Sequence, residues 1–184
     1  MIRSNRKTMA IQVNPDLTVT VRAPMRASKK EIERILQEKE SWIRNAMNQL
    51  REKKRLYELE DIKPLSYAEL QELAEKAMEY IPGRVAYFSK QVGVSYGRIT
   101  IRNQKTRWRS CSGKGNLNFN CLLMLTPSEV IDYVVVHELC HRKEMNHSKA
   151  FWHEVAKILP DYKKHIQWLK KEGGRIMQRN PRKE

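Results

Sequence analysis

At 184 residues the chain has room for one compact domain and a small accessory layer, and 40% hydrophobic against 31% charged residues excludes the apolar poverty of a disordered chain. Thirty-six Lys and Arg against twenty-one Asp and Glu leave a net charge of +15, a field that favours phosphates, acidic peptides or anionic surfaces. No apolar run approaches the ~18 residues of a membrane helix, no apolar stretch succeeds the basic Met1 to Lys7, and the three cysteines form no C-x-x-C pair; a cytoplasmic protein with reduced thiols and no membrane association is expected.

Met9, Ile11 and Val13 alternate with polar neighbours, as do Leu17, Val19 and Val21, so residues 7–23 read as a β-hairpin turning at Asn14-Pro15-Asp16. Ser28 then caps a helix on which Ile32, Ile35, Leu36, Ile43, Ala46, Met47 and Leu50 recur at helical spacing. The charged run from Arg51 to Asp61 extends that helix or serves as a linker. Ser66 with Glu69 forms a capping box for a second helix along Leu70, Leu73, Ala74, Ala77, Met78 and Ile81. Pro82-Gly83 is a stop signal, after which Val85, Phe88 and Val92 point to renewed helix before Gly93.

Strand-like segments come next at residues 98–102 and 116–125, separated by residues 105–115. Asn116 to Cys121 alternates strictly, which gives one amide-rich face and suits a sheet edge able to pair with an extended peptide; Asn118 is a candidate substrate contact there. Arg107 and Arg109 flank Trp108. They are candidates to bind a carboxylate or phosphate, or they belong to an ordinary packed strand whose tryptophan faces the core.

Thr126-Pro127-Ser128-Glu129 reads as a second capping box, with proline at the first helical position. The helix it opens, from about Pro127 to Lys143, includes the β-branched run Val130 to Val136 and then His137-Glu138-Leu139-Cys140-His141. Residues four apart lie about 40° apart around a helix, so His137 and His141 face one side and can share a metal ion, with Glu138 beside them as general base. Zinc accepts imidazole nitrogen and keeps a position open for water. The third ligand is His147 or Glu154. His147 lies too far along for the same straight helix, so Asn146 is expected to end it in a left-handed conformation, and Ser148 to cap the next helix along Phe151, Val155, Ile158 and Leu159. His153 and His165 read as structural, and Cys111 and Cys140 as buried free thiols. On the last helix Tyr162, Ile166 and Leu169 form an apolar side, while Lys163, Lys164, Lys170, Lys171, Arg175, Arg179, Arg182 and Lys183 form a basic one that is either solvated or offers a weak nucleic-acid contact.

Over nearly its full length the chain resembles the YgjP-like family of metal-dependent hydrolases, relatives of the SprT and WLM peptidase domains. The likeness is carried by Arg6-Lys7-Thr8, Val21 to Pro24, Glu40 to Ile43, Thr106-Arg107-Trp108 with Ser110-Cys111-Ser112, and above all His137 through Trp152. It implies an α+β architecture: an N-terminal β-hairpin and basic helical arm over residues 1–64, then a zincin-like, minimal gluzincin-like helix-and-sheet core over residues 65–184. It also implies one Zn2+ per chain on His137, His141 and His147, with Glu138 catalytic. The metzincins share this histidine spacing but require glycine where Glu144 stands. One departure from the family pattern is Arg109, at a position where relatives carry glycine. The function expected is zinc-dependent hydrolysis of peptides. The alternatives are a nucleotide phosphoanhydride hydrolase and a non-enzymatic nucleic-acid or protein-binding module with structural zinc, against which an intact Glu138 argues.

Overall fold

The computed structural model describes residues 1–14, 16–59 and 62–181, with the backbone alone at residues 53 and 57–59. Pro15 of the expected hairpin turn, Asp61 at the end of the charged run, and Arg182 and Lys183 of the basic tail lie outside the described residues. The architecture is mixed helix and sheet, and it divides into two compact units, Met1–Asp61 and Ile62–Glu184.

In the first unit β2 (Ala10–Val13) and β3 (Val19–Pro24) pair antiparallel, Ile11 opposite Val21, as the alternation predicts. A third strand that the periodicity does not reveal, β1 (Ile2–Ser4), joins β3 in parallel and makes β3 central. The expected single helix is two, α1 (Lys29–Glu38) capped by Ser28 and α2 (Glu40–Leu59), broken at Lys39. The two helices differ in burial. Ile32 of α1 enters a core with Val21, Ala23 and Ala27, joined at its margin by Leu36, whereas no described residue of α2 is buried.

The second unit opens with α3 (Tyr67–Val92), whose capping box between Ser66 and Glu69 forms as expected and which ends at Gly93 in the left-handed conformation, φ 74°. Pro82 does not stop it: Ile81 and Val85, both fully buried, anchor the helix on either side, and packing outweighs the loss of one backbone donor. A three-stranded sheet comes next in the order β4 (Ile99–Arg102), β6 (Leu117–Asn120), β5 (Arg109–Cys111), with β4 parallel and β5 antiparallel to β6. Two expectations are corrected here. The amide-rich strand is central, and the edge next to it is β5, within a stretch expected to be a connection. Cys121–Leu125 is a 3₁₀ turn rather than strand, because buried Asn120 accepts from Leu122 N–H (3.1 Å) and donates to the carbonyls of Gln104 (2.7 Å) and Arg107 (2.8 Å), turning the chain out of the sheet.

Helix α4 (Ser128–Cys140) begins after Pro127 without a side-chain cap, since the Thr126 hydroxyl donates instead to Leu123 C=O (2.8 Å) and closes the 3₁₀ turn. Its β-branched run is helical because the helix is surrounded: Val134, Val135, Val136 and Leu139 are fully buried, and a helix apolar all round belongs in a core. Helices α5 (Lys149–Ile158) and α6 (Tyr162–Gln178) pack against it. Tyr162, Ile166 and Leu169 turn to that core as expected, and Trp108 joins its margin, lying so close to Gly173 of α6 that an added methyl would meet its indole at 3.2 Å.

Arg84 of α3 clamps Asp132 of α4 in a two-pronged ion pair, Nε to Oδ1 at 2.6 Å and Nη2 to Oδ2 at 2.7 Å. Asp132→Ala should lower the stability of this unit by about 1–2 kcal/mol in urea unfolding, the scale of a half-buried charge-assisted pair. If the contact is an energetic pair, the double variant with Arg84→Ala loses less than the sum of the two singles. No helix among the described residues is long and apolar enough to cross a membrane.

Candidate metal centre

The last turn of α4 presents His137 and Glu138, and His141 succeeds it as the C-cap in the helical region, so the four-residue spacing brings both imidazoles to one side. Their Nε2 atoms stand 3.1 Å apart. His147 Nε2 comes to 2.9 Å from His137 Nε2, and the ligand atoms of the three histidines all lie within 4.8 Å of one another. The return of the chain is not made as expected. Leu17 is the one non-glycine residue with positive φ among the described residues, so Asn146 is not left-handed. Instead Asn146 Oδ1 accepts from Ser148 N–H (3.1 Å) in an Asx turn, and Ser148 Oγ then accepts from Phe151 N–H to start α5.

The second nitrogen of each α4 imidazole has its own partner. His141 Nδ1 meets Glu144 C=O at 3.0 Å; a carbonyl only accepts, so the proton sits on Nδ1 and Nε2 keeps its lone pair towards the cluster. His137 Nδ1 lies 3.3 Å from the hydroxyl of buried Tyr133, one turn earlier on the same helix, and Tyr133 in turn stacks against His165 at 6.1 Å. His165 is thus a packing residue behind the site, while His153 is exposed away from it. Phe151 stacks on His141 and Trp152 on His147, ring centroids 4.5 and 5.7 Å apart, which holds the imidazole planes in place. Sequence alone assigned no role at the site to Tyr133, Phe151 or Trp152. The helical spacing of Tyr133 to His137 was the signal available for the first.

Burial sets the charge states. It pushes His137 far below the ordinary histidine range, with Arg109, His141 and His147 adding repulsion, and it lowers His141 as well, so both rings are neutral as ligation requires. Glu138, 2% exposed, is pushed up to about 7 by burial, against the opposing pull of Arg109. The Arg109 Nε lies 2.7 Å from Glu138 Oε1 as an ion pair, although its N–H is not aimed well enough for a hydrogen bond. Glu154, the other candidate third ligand, is bound elsewhere: Lys143 Nζ at 2.7 Å and Lys157 hold its carboxyl down to about 2.

The histidines and Glu138 open on a cavity of about 330 Å³, with β5 as one wall. Arg109 lines it. Arg107 is exposed and does not, and Asn118 does not either, its amide donating to Ser110 Oγ across the strand pair (3.3 Å). In the β5–β6 register, Trp108 C=O and Ser112 N–H bond to β6, so the N–H and C=O groups of Arg109 and Cys111 point to the opposite, unpaired edge. Cys111 is half-buried and Cys121 and Cys140 are buried; burial raises all three thiols, Cys140 to about 12, which leaves them inert as thiolates. A larger hollow of about 540 Å³ around Tyr80, Arg84 and Tyr87 shares no residue with the histidine cluster.

Residues 7–71 and 67–172 match the model of a family described as "YgjP-like, metallopeptidase domain". No curated protein matches the chain. Among solved structures it is similar to the metallopeptidase zymogen abylysin of Pyrococcus abyssi, with 25% identity over 54% of this chain and 97% of that one and a TM-score of 0.46. It is similar also to the metallopeptidase zymogen jannalysin of Methanocaldococcus jannaschii, with 20% identity over 50% and 95% and a TM-score of 0.45.

Proposed function

Because the chain belongs to the YgjP-like family of metallopeptidase domains, we propose that it is a zinc-dependent peptidase whose single zinc is held by His137, His141 and His147 and whose general base is Glu138. The observation that carries this reading is the convergence of three Nε2 atoms on one point beside a buried carboxylate. The donor set suits zinc: three imidazoles, with the second nitrogens of His137 and His141 anchored, and an open side towards the cavity. When bound, zinc supplies Lewis acidity, acidifying water and polarising a carbonyl.

The protein's own groups do the rest. Glu138 takes a proton from the attacking water at its carboxylate and returns it to the departing amine. Burial raises its proton affinity above that of an ordinary carboxylate, which favours taking up the proton it must later give back. Tyr133 and the Glu144 carbonyl hold His137 and His141 in orientation. The free edge of β5 offers backbone groups at Arg109 and Cys111 to an extended peptide lying along the cavity wall. Nucleotide hydrolysis would draw on Arg107 and Arg109 together, and Arg107 stands outside the cavity. Metal-quantified protein assayed on an unfolded-protein and peptide panel beside nucleoside triphosphates should cleave peptides only. Triphosphate hydrolysis that depends on Glu138, with no peptide cut, would overturn the reading.

A further inference from the structure

We propose that Arg109 selects the substrate: its guanidinium receives the carboxylate of an acidic residue that lies opposite it when a peptide pairs with β5. The inference rests on reading the site as a peptidase. Three observations carry it. Arg109 is the one Lys or Arg side chain lining the cavity among the described residues, and it is 19% exposed, so its charge is only partly screened. The guanidinium is held in place, its Nε against Glu138 and its central carbon 5.8 Å from the centre of the Tyr133 ring, yet neither terminal nitrogen meets a hydrogen-bond acceptor among the described residues. Four of its five N–H groups are therefore free for a planar two-oxygen acceptor.

The backbone of Arg109 completes the geometry. Its N–H and C=O face the unpaired edge of β5, so a strand added there places one residue directly across from it, with Cβ atoms about 5 Å apart on the same face. Opposite charges at that spacing attract, and the side chain opposite would enter the cavity beside the histidines rather than the solvent. Glu138 meets the guanidinium at Nε, 2.7 Å from its Oε1. With glycine at this position no such cation would exist.

The test uses the zinc-loaded full chain and a neutral host peptide in which a single Glu is moved through the residues flanking the cut, each against its Gln counterpart. At one position the Glu peptide should show kcat/KM about tenfold above its Gln partner, the scale of one charge-assisted contact in a partly desolvated site. Arg109→Gln should bring that ratio to about one at unchanged zinc content, and Arg109→Lys should retain part of it. A ratio of one at every position in the parent protein, or a preference that persists in Arg109→Gln, overturns the assignment. If no peptide is cut the peptidase reading itself fails, and equilibrium binding of the same peptide pairs to the loaded chain then decides: a Glu preference lost in Arg109→Gln supports the role of Arg109, and equal affinities remove it. Nucleoside triphosphate hydrolysis lost in Arg109→Gln would give the cation to phosphate and overturn the peptide carboxylate.

Discussion

His137→Ala and His141→Ala should each reduce bound zinc from about one per chain to a small fraction after dialysis, as read by elemental analysis. If the ~10–16 kcal/mol of a four-ligand zinc site is shared evenly, each ligand contributes roughly 2.5–4 kcal/mol, about sixty-fold to nearly a thousandfold in affinity. Both imidazoles are already neutral and held from behind, so the loss is that of the ligand alone. His147→Ala should lose zinc on the same scale, whereas Glu154→Ala should retain it, because Glu154 is tied to Lys143 and Lys157. Zinc retained by His147→Ala and lost from Glu154→Ala would reverse the third-ligand assignment. Folding of each variant is checked by its far-UV circular dichroism, since His137 sits in the core-facing helix α4.

Glu138→Gln should keep its zinc and lose about 10²–10⁴-fold in kcat, the range for removing a general base. The amide matches the carboxylate in shape and can still lie beside Arg109, but it cannot accept a proton at neutral pH. Zinc content unchanged with turnover collapsed separates chemistry from binding. Equal turnover in variant and parent would remove Glu138 from the mechanism.

Much of this site was legible because its rules are local. The His137 and His141 spacing is a property of any helix, the capping box at Ser66 and Glu69 acts within one turn, and Ser148 starts α5 by the same means. What sequence alone misplaced depends on neighbours distant in the chain. Residues 116–120 alternate as an edge strand would, but whether a strand is central depends on who pairs with it, and β5 is too short and too polar to announce itself. Pro82 carries a helix-stop signal that only the packing of Ile81 and Val85 overrides. Thr126 and Asn146 each had the correct residue type for a turn, yet each bonded in a different one, since a short polar side chain can satisfy several backbone groups at similar cost. The meeting of Arg109 with Glu138 joins residues 29 apart and has no local trace.

The unpaired edge of β5 also bears on how the molecule avoids sticking to itself. An exposed strand edge accepts any extended chain, including the same edge of a second copy. Here that edge is three residues long and begins at Arg109, so self-pairing would gain few backbone bonds while bringing two guanidinium groups and two bodies of net charge +15 together. Shortness and positive charge both disfavour that self-pairing.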